Sequence, residues 1–167
     1  MTNHVDPKYQ TNHFSWVIPN VLARSGRPGF PTIDVDPLHV EDWMSRIAEE
    51  GIKSVIVLLH HTQMNYWYPR LEQGLVEHYR TKGLNVVHFN YLDYKTPPMD
   101  PDQLPPVFQA FQELPKPVLV HCSLGRDRTG QAITYILDQL GQAPIMGAME
   151  SPSAAKTEGT PVGNVDG

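Results

Sequence analysis

The stretch of this chain with the most reactive side chains is His121-Cys122-Ser123-Leu124-Gly125-Arg126-Asp127-Arg128-Thr129-Gly130. It follows a short apolar run, Val118 to His121, and precedes a helical pattern of Ala132, Ile133, Ile136, Leu137 and Leu140 that Gly141 ends. A strand–loop–helix passage of this kind brings backbone N–H groups and the positive end of a helix to one spot, which favours an anion. Cys122 stands in that field. It stabilises a thiolate over a thiol, and the thiolate is the nucleophilic form. Arg128 lies six positions on. Its planar fork can hold two oxygens of a phosphoryl group, which a Lys ammonium cannot do. Gly125 would let the backbone approach those oxygens closely, and Thr129 can place a hydroxyl near the sulfur. The loop Ser123, Leu124, Gly125, Arg126, Asp127, Arg128 thus reads as a phosphate cradle with its own nucleophile.

A lone cysteine is more often an inert core residue. The full pattern, His121-Cys122-x5-Arg128-Thr129-Gly130, argues against that here. It resembles the signature loop of the protein-tyrosine/dual-specificity phosphatase superfamily, in a small atypical or bacterial-type form. The resemblance implies Cys122 as nucleophile, Arg128 as phosphate clamp, and His121 and Thr129 in support. Small dual-specificity members also carry a general-acid Asp on a mobile loop upstream. Asp93 stands 29 residues before Cys122, in the run Leu92-Asp93-Tyr94-Lys95-Thr96-Pro97-Pro98, which looks like that loop. Asp127 competes for the role, because certain bacterial members carry an Asp inside the signature loop that is proposed as the acid. Arg126 would add positive charge at the rim. The segment Leu22-Ala23-Arg24-Ser25-Gly26-Arg27-Pro28 is similar to the opening Arg-Ser-Gly-x-Pro element of small members and reads mainly as scaffold, with Ser25 able to hydrogen-bond nearby loops. The similarity covers roughly residues 14–140.

The elements that must position these groups alternate along the chain. Phe14 to Ala23 reads as a strand pair turning at Pro19-Asn20. Asp36-Pro37 starts a helix with Val40, Met44, Ile47 and Ala48 on one face, and Gly51 ends it. Ile52 to Leu59 is an apolar, β-branched run expected to be a strand buried on both faces. Asn65 to Lys82 carries Tyr68, Leu71, Leu75 and Tyr79 at helical spacing, so one helix is expected, closed by Gly83. Leu84 to Phe89 is expected to be the next buried strand. After a Pro- and Asp-rich loop, Leu104, Val107, Phe108 and Phe111 mark a helix that Pro115-Lys116-Pro117 stops. The alternation predicts an α/β fold, with a central mostly parallel sheet flanked by helices, phosphatase-like, and a shortened C-terminal helical part. Only 27 residues follow Leu140. The expected layout is a flexible N-terminus at 1–13, a phosphatase domain at 14–149 and a disordered tail at 150–167.

Composition bounds the rest. The 167 residues suit one domain, and a net charge of −5 disfavours a nucleic-acid surface. No apolar run is long enough to span a membrane. One cysteine among 167 residues allows no intrachain disulfide and suits a reducing, cytoplasmic setting. No metal or cofactor is expected: the eight histidines form no His-x-x-x-His pair, and His60-His61 would point to opposite faces of a strand. The expected partner is a phosphorylated protein or a small phosphomonoester, with self-association through the C-terminal face as an option. Two other classes keep a cysteine or an arginine in such a loop, a rhodanese-type sulfurtransferase and a non-catalytic phosphate-binding module. The Arg-Thr-Gly ending and the Asp93 loop favour the phosphatase.

Overall fold

The computed structural model describes residues 13–93 and 95–141. The N-terminal segment up to residue 12, the tail expected at 150–167 and the stretch 142–149 lie outside the described residues.

Five strands form one sheet: β1 (Ser15–Ile18), β2 (Leu22–Ser25), β3 (Ser54–Val57), β4 (Asn85–His88) and β5 (Val118–His121). Their order is β1-β2-β5-β3-β4. β1 pairs antiparallel with β2, while the pairs β2–β5, β5–β3 and β3–β4 are all parallel. The expected α/β fold with a mostly parallel sheet is therefore what forms. β5 is the middle strand, so the residue that follows it, Cys122, leaves the sheet at its centre, at the carboxyl ends of the parallel strands. That is where sites form in open α/β sheets.

Alternation along the strands builds two cores. Leu22, Ile56, Leu58, Val118 and Val120 face α4 (Leu104–Glu113) and α5 (Asp127–Gln139), against Val107, Phe111, Ile133, Ile136 and Leu137. Ala23, Val55, Val57 and Leu119 face α1 (Pro37–Glu49), α2 (His61–Trp67) and α3 (Gly74–Thr81), against Val40, Trp43, Met44, Ile47, Leu75 and Tyr79. Period-two side-chain direction divides each buried strand between the two layers. Local chemistry fixes the helix ends. Asp36 caps α1 by accepting from the Leu38 N–H, with Pro37 in the first turn, and Gly51 takes φ 86° just past the end.

Three expectations are corrected. The single helix expected over 65–82 is two, α2 and α3, joined by a turn. Pro69 removes an N–H and pushes Tyr68 out of the helical region, to φ −124°, ψ 51°. Tyr68, Leu71, Leu75 and Tyr79 are nonetheless all buried, because both helices and the turn press on the same sheet face. The strand expected at 84–89 as fully buried is the edge strand β4, with β3 as its one sheet neighbour and side chains only partly covered. His60 and His61 lie on no strand: His60 caps α2 and His61 opens it, their rings 4.4 Å apart.

Candidate active site

The loop from Cys122 to Arg126 is held from outside by its carbonyl groups. The Cys122 carbonyl accepts from His121 Nδ1 at 2.9 Å. The Ser123 carbonyl accepts from the Arg27 backbone N–H at 2.8 Å. Arg24 donates to the Gly125 carbonyl at 2.7 Å and to that of Arg126 at 3.5 Å. In a trans peptide the C=O and the following N–H point in opposite directions. Each carbonyl drawn outward therefore turns an N–H inward, at Ser123, Leu124, Arg126 and Asp127. α5 opens directly from this loop, and its N-cap Arg126 makes no side-chain cap. The first-turn donors of a 13-residue helix thus add to the same concave face.

Gly125 has a sharper reason than the one read from sequence. At φ 81° it lies against the chain after β2, where a Cβ would meet the Ser25 carbonyl oxygen at 2.4 Å and the Gly26 nitrogen at 2.6 Å. Both neighbours are backbone and cannot step aside. Glycine is needed for loop-to-loop packing, and the segment Arg24–Arg27 supplies hydrogen bonds that hold the loop. Arg24 holds loop carbonyls. Arg27 is buried under the ring of Trp67 at 4.0 Å and donates to the Thr32 carbonyl. The Ser25 hydroxyl donates to Gly26 and accepts from Trp43 Nε1 at 3.4 Å.

Cys122 is 3% exposed, at the base of the loop and in contact with the core of the α4–α5 side. His121 beneath it is fully buried, and burial pushes its pKa down to about 4. It is therefore neutral. With its proton on Nδ1 serving the Cys122 carbonyl, Nε2 accepts from the Tyr79 hydroxyl at 3.0 Å. Trp43 stacks on Tyr79 and meets His121 edge-on, both at 5.5 Å between ring centres. Burial also holds the Tyr79 phenol well above its usual range, so it remains a donor. Sequence reading assigned Tyr79 and Trp43 no site role. The available signal was a hydroxyl- or N–H-bearing aromatic at a helix position that must be buried. Thr129 Oγ1 is buried with no hydrogen-bond partner among the described residues.

Arg128, in the first turn of α5, is 1% exposed. Its guanidinium meets Asp93 Oδ2 at 2.8 Å and donates to the Tyr91 carbonyl at 3.2 Å and to Gln63 Oε1 at 3.5 Å. Gln63 Nε2 donates to the same Asp93 oxygen at 3.1 Å. The two upstream groups, one expected and one missed, thus meet the signature loop at its arginine. Asp127 is placed differently. Its side chain is 52% exposed and paired with Arg126 at 3.4 Å, whereas that of Asp93 is 19% exposed and on Arg128. The structure brings Arg128, Asp93 and Gln63 together, on the helix that follows the Cys122 loop, and it pairs the Asp127 side chain with Arg126 instead. Among the described residues no group of three or more His, Cys, Asp or Glu is placed to hold a metal ion. Nor is any helix among them long and apolar enough to cross a membrane.

The chain is similar to a solved structure titled as Tk-PTP in the active form, with 20% identity over 86% of this chain and 88% of that one, at a TM-score of 0.58. A human tyrosine phosphatase-like serine/threonine/tyrosine-interacting protein matches at 14% identity over 84% and 93% of the two chains, with a TM-score of 0.43. No curated protein sequence matches the chain. The sequence model described as "Tyrosine phosphatase family" matches residues 46–144, more than half the chain and all of the signature loop, and the chain belongs to that family.

Proposed function

We propose that the protein is a cysteine-dependent phosphatase that hydrolyses phosphomonoesters, phosphotyrosine and also phosphoserine/threonine in proteins, through a phosphocysteine intermediate. The observation that carries the reading is the meeting of Arg128 with Asp93 at 2.8 Å, on the loop that begins at Cys122. This meeting supports a reading in which clamp, carboxyl group and nucleophile form one site.

In the first step the Cys122 thiolate attacks phosphorus and an S–P bond forms as the bond to the leaving oxygen breaks. The inward N–H groups of the loop and the Arg128 fork hold the three non-bridging oxygens of the transferring phosphoryl group, over which its negative charge is spread. Protonated Asp93 gives its proton to the leaving oxygen and becomes a carboxylate. In the second step that carboxylate takes a proton from water. The water oxygen bonds to phosphorus, the S–P bond breaks, and inorganic phosphate and the thiolate are released. All proton and electron pairs are accounted for by side chains and water, so EDTA should leave the rate unchanged. Asp93 is the better-placed acid because it is sheltered and on the clamp, while Asp127 faces solvent and Arg126.

Cys122→Ser should abolish turnover of para-nitrophenyl phosphate while the far-UV circular dichroism stays as in wild type, because serine is not ionised at neutral pH. A folded Ser variant with near wild-type turnover refutes the mechanism. Thiosulfate-dependent persulfide on Cys122 would point to the sulfurtransferase, and phosphate binding with no turnover in wild type to the binding module. A panel of phosphotyrosine and phosphoserine peptides with phosphoinositides separates the protein-directed activity from a small-molecule one.

A further inference from the structure

Gln63, in the first turn of α2, is connected to both halves of the site. Its Oε1 accepts from Arg128 at 3.5 Å and from the His60 backbone N–H at 3.4 Å, and its Nε2 donates to Asp93 Oδ2 at 3.1 Å. Guanidinium and backbone N–H groups only donate. Two such groups on Oε1 fix the direction of the amide and leave its NH2 end to Asp93.

That direction has a chemical consequence. A protonated carboxyl group that accepts an N–H bond on one oxygen carries its proton on the other. We infer that Gln63 is a positioning residue for the proposed acid: it reserves Oδ2 of Asp93 as an acceptor, so that the transferable proton sits on Oδ1. The same bond answers a second need. Asp93 pairs with Nη2 of Arg128, a nitrogen that a substrate phosphate must take. A phosphate dianion bound there displaces a carboxylate, and protonation removes the charge that attracted it. The Gln63 bond goes to a carbonyl-type oxygen and survives both events, so the carboxyl stays at the clamp when its ion pair is gone. The inference rests on the reading of Asp93 as the general acid.

The test compares phenyl phosphate, a poor leaving group, with an activated aryl phosphate that needs little protonation. Gln63→Ala should slow phenyl phosphate roughly 3- to 30-fold and the activated ester by less than about twofold, the size of one lost hydrogen bond acting only on proton transfer. In an Asp93→Asn background the same change should add nothing, because the proton it positions is gone. Gln63 also bonds at the start of α2, so His60→Ala serves as a control: it removes the capping side chain of that helix and no contact with Asp93. It should change both esters by one common factor. Equal slowing of both esters by Gln63→Ala, full multiplication on top of Asp93→Asn, or a leaving-group-dependent loss in His60→Ala overturns the inference. If wild type hydrolyses neither ester, the phosphatase reading has failed. If it hydrolyses both and Gln63→Ala keeps the wild-type ratio, only the role of Gln63 has failed.

Discussion

The signature loop and the Asp93 loop meet at Arg128 but are built in opposite ways. Residues 122–126 are tied by four backbone carbonyls to β2, to the turn after it and to His121, and His121 rests on Tyr79 of α3. Nearly all of those partners are buried. The loop between β4 and α4 is fastened at its ends. Tyr91 donates to the Gln103 carbonyl, and the Met99 backbone exchanges two bonds with the Gln131 side chain. Between them, Leu92 is 56% exposed and Lys95 pairs locally, with Asp100. A cradle must be in place before substrate arrives, so its backbone is determined many times over. The proposed acid must exchange a proton and approach different leaving groups, which suits backbone with few buried anchors among the described residues.

Mutations on either side should show the difference. Asp93→Asn should slow phenyl phosphate by about 10²–10⁴-fold, the usual share of general acid catalysis, with far less effect on an activated aryl phosphate and a flattened basic limb of the pH–rate profile. Asp127→Asn should slow both esters by one small common factor. If the leaving-group dependence appears in Asp127→Asn and not in Asp93→Asn, the assignment is reversed and the built loop carries its own acid. Arg128→Lys keeps the charge but loses the fork, and kcat should fall about 10²–10³-fold for both esters alike, as when a preorganised transition-state donor is removed. A Lys variant with nearly unchanged kcat refutes a two-oxygen clamp. The smallest effect concerns folding. The His121 pKa is about 4 in the folded protein against 6.5 in the unfolded chain. Between those values the unfolded state binds the extra proton, so stability is full above pH 6.5 and is lost as pH falls toward 4. Urea titrations should give about 2 kcal/mol less at pH 5 than at pH 7.5 from this group. His121→Gln should be less stable at both values and show a smaller difference between them. An unchanged difference would remove His121 as the source.

Much of this was legible in the chain. The signature loop is a local pattern, so its residues, spacing and strand–helix setting could be read in one pass, and the buried strands and capped helices followed from apolar runs and the Asp36-Pro37 and Gly51 signals. What failed was non-local or depended on one residue overruling a pattern. The apolar spacing from Tyr68 to Tyr79 is correct as a list of buried side chains, but Pro69 splits the helix that would carry it. β4 reads as a core strand because its apolar composition does not reveal that it ends at the sheet edge. Gln63 and Tyr79 carry no motif, since their roles come from contacts with residues 30 and 42 positions away. Gly125 reads in the sequence as room for close approach to phosphate oxygens, while the backbone of residues 25–26 packed against it is a contact that no local pattern reveals.

The pairing of β2 with β5 also sets an order of assembly. Leu22–Ser25 lie in register with Val118–His121, and Arg24 reaches the Gly125 carbonyl across 101 positions of sequence. β2 has no other parallel neighbour, so the first hairpin made has no place in the sheet until the last strand exists. Contacts of such high order close late, after the chain entropy between them has been spent. A nascent chain that stops short of residue 121 therefore lacks the strand its N-terminal hairpin needs, and the loop after Cys122 gains its Arg24 and Arg27 contacts only when both ends of the described chain have come together.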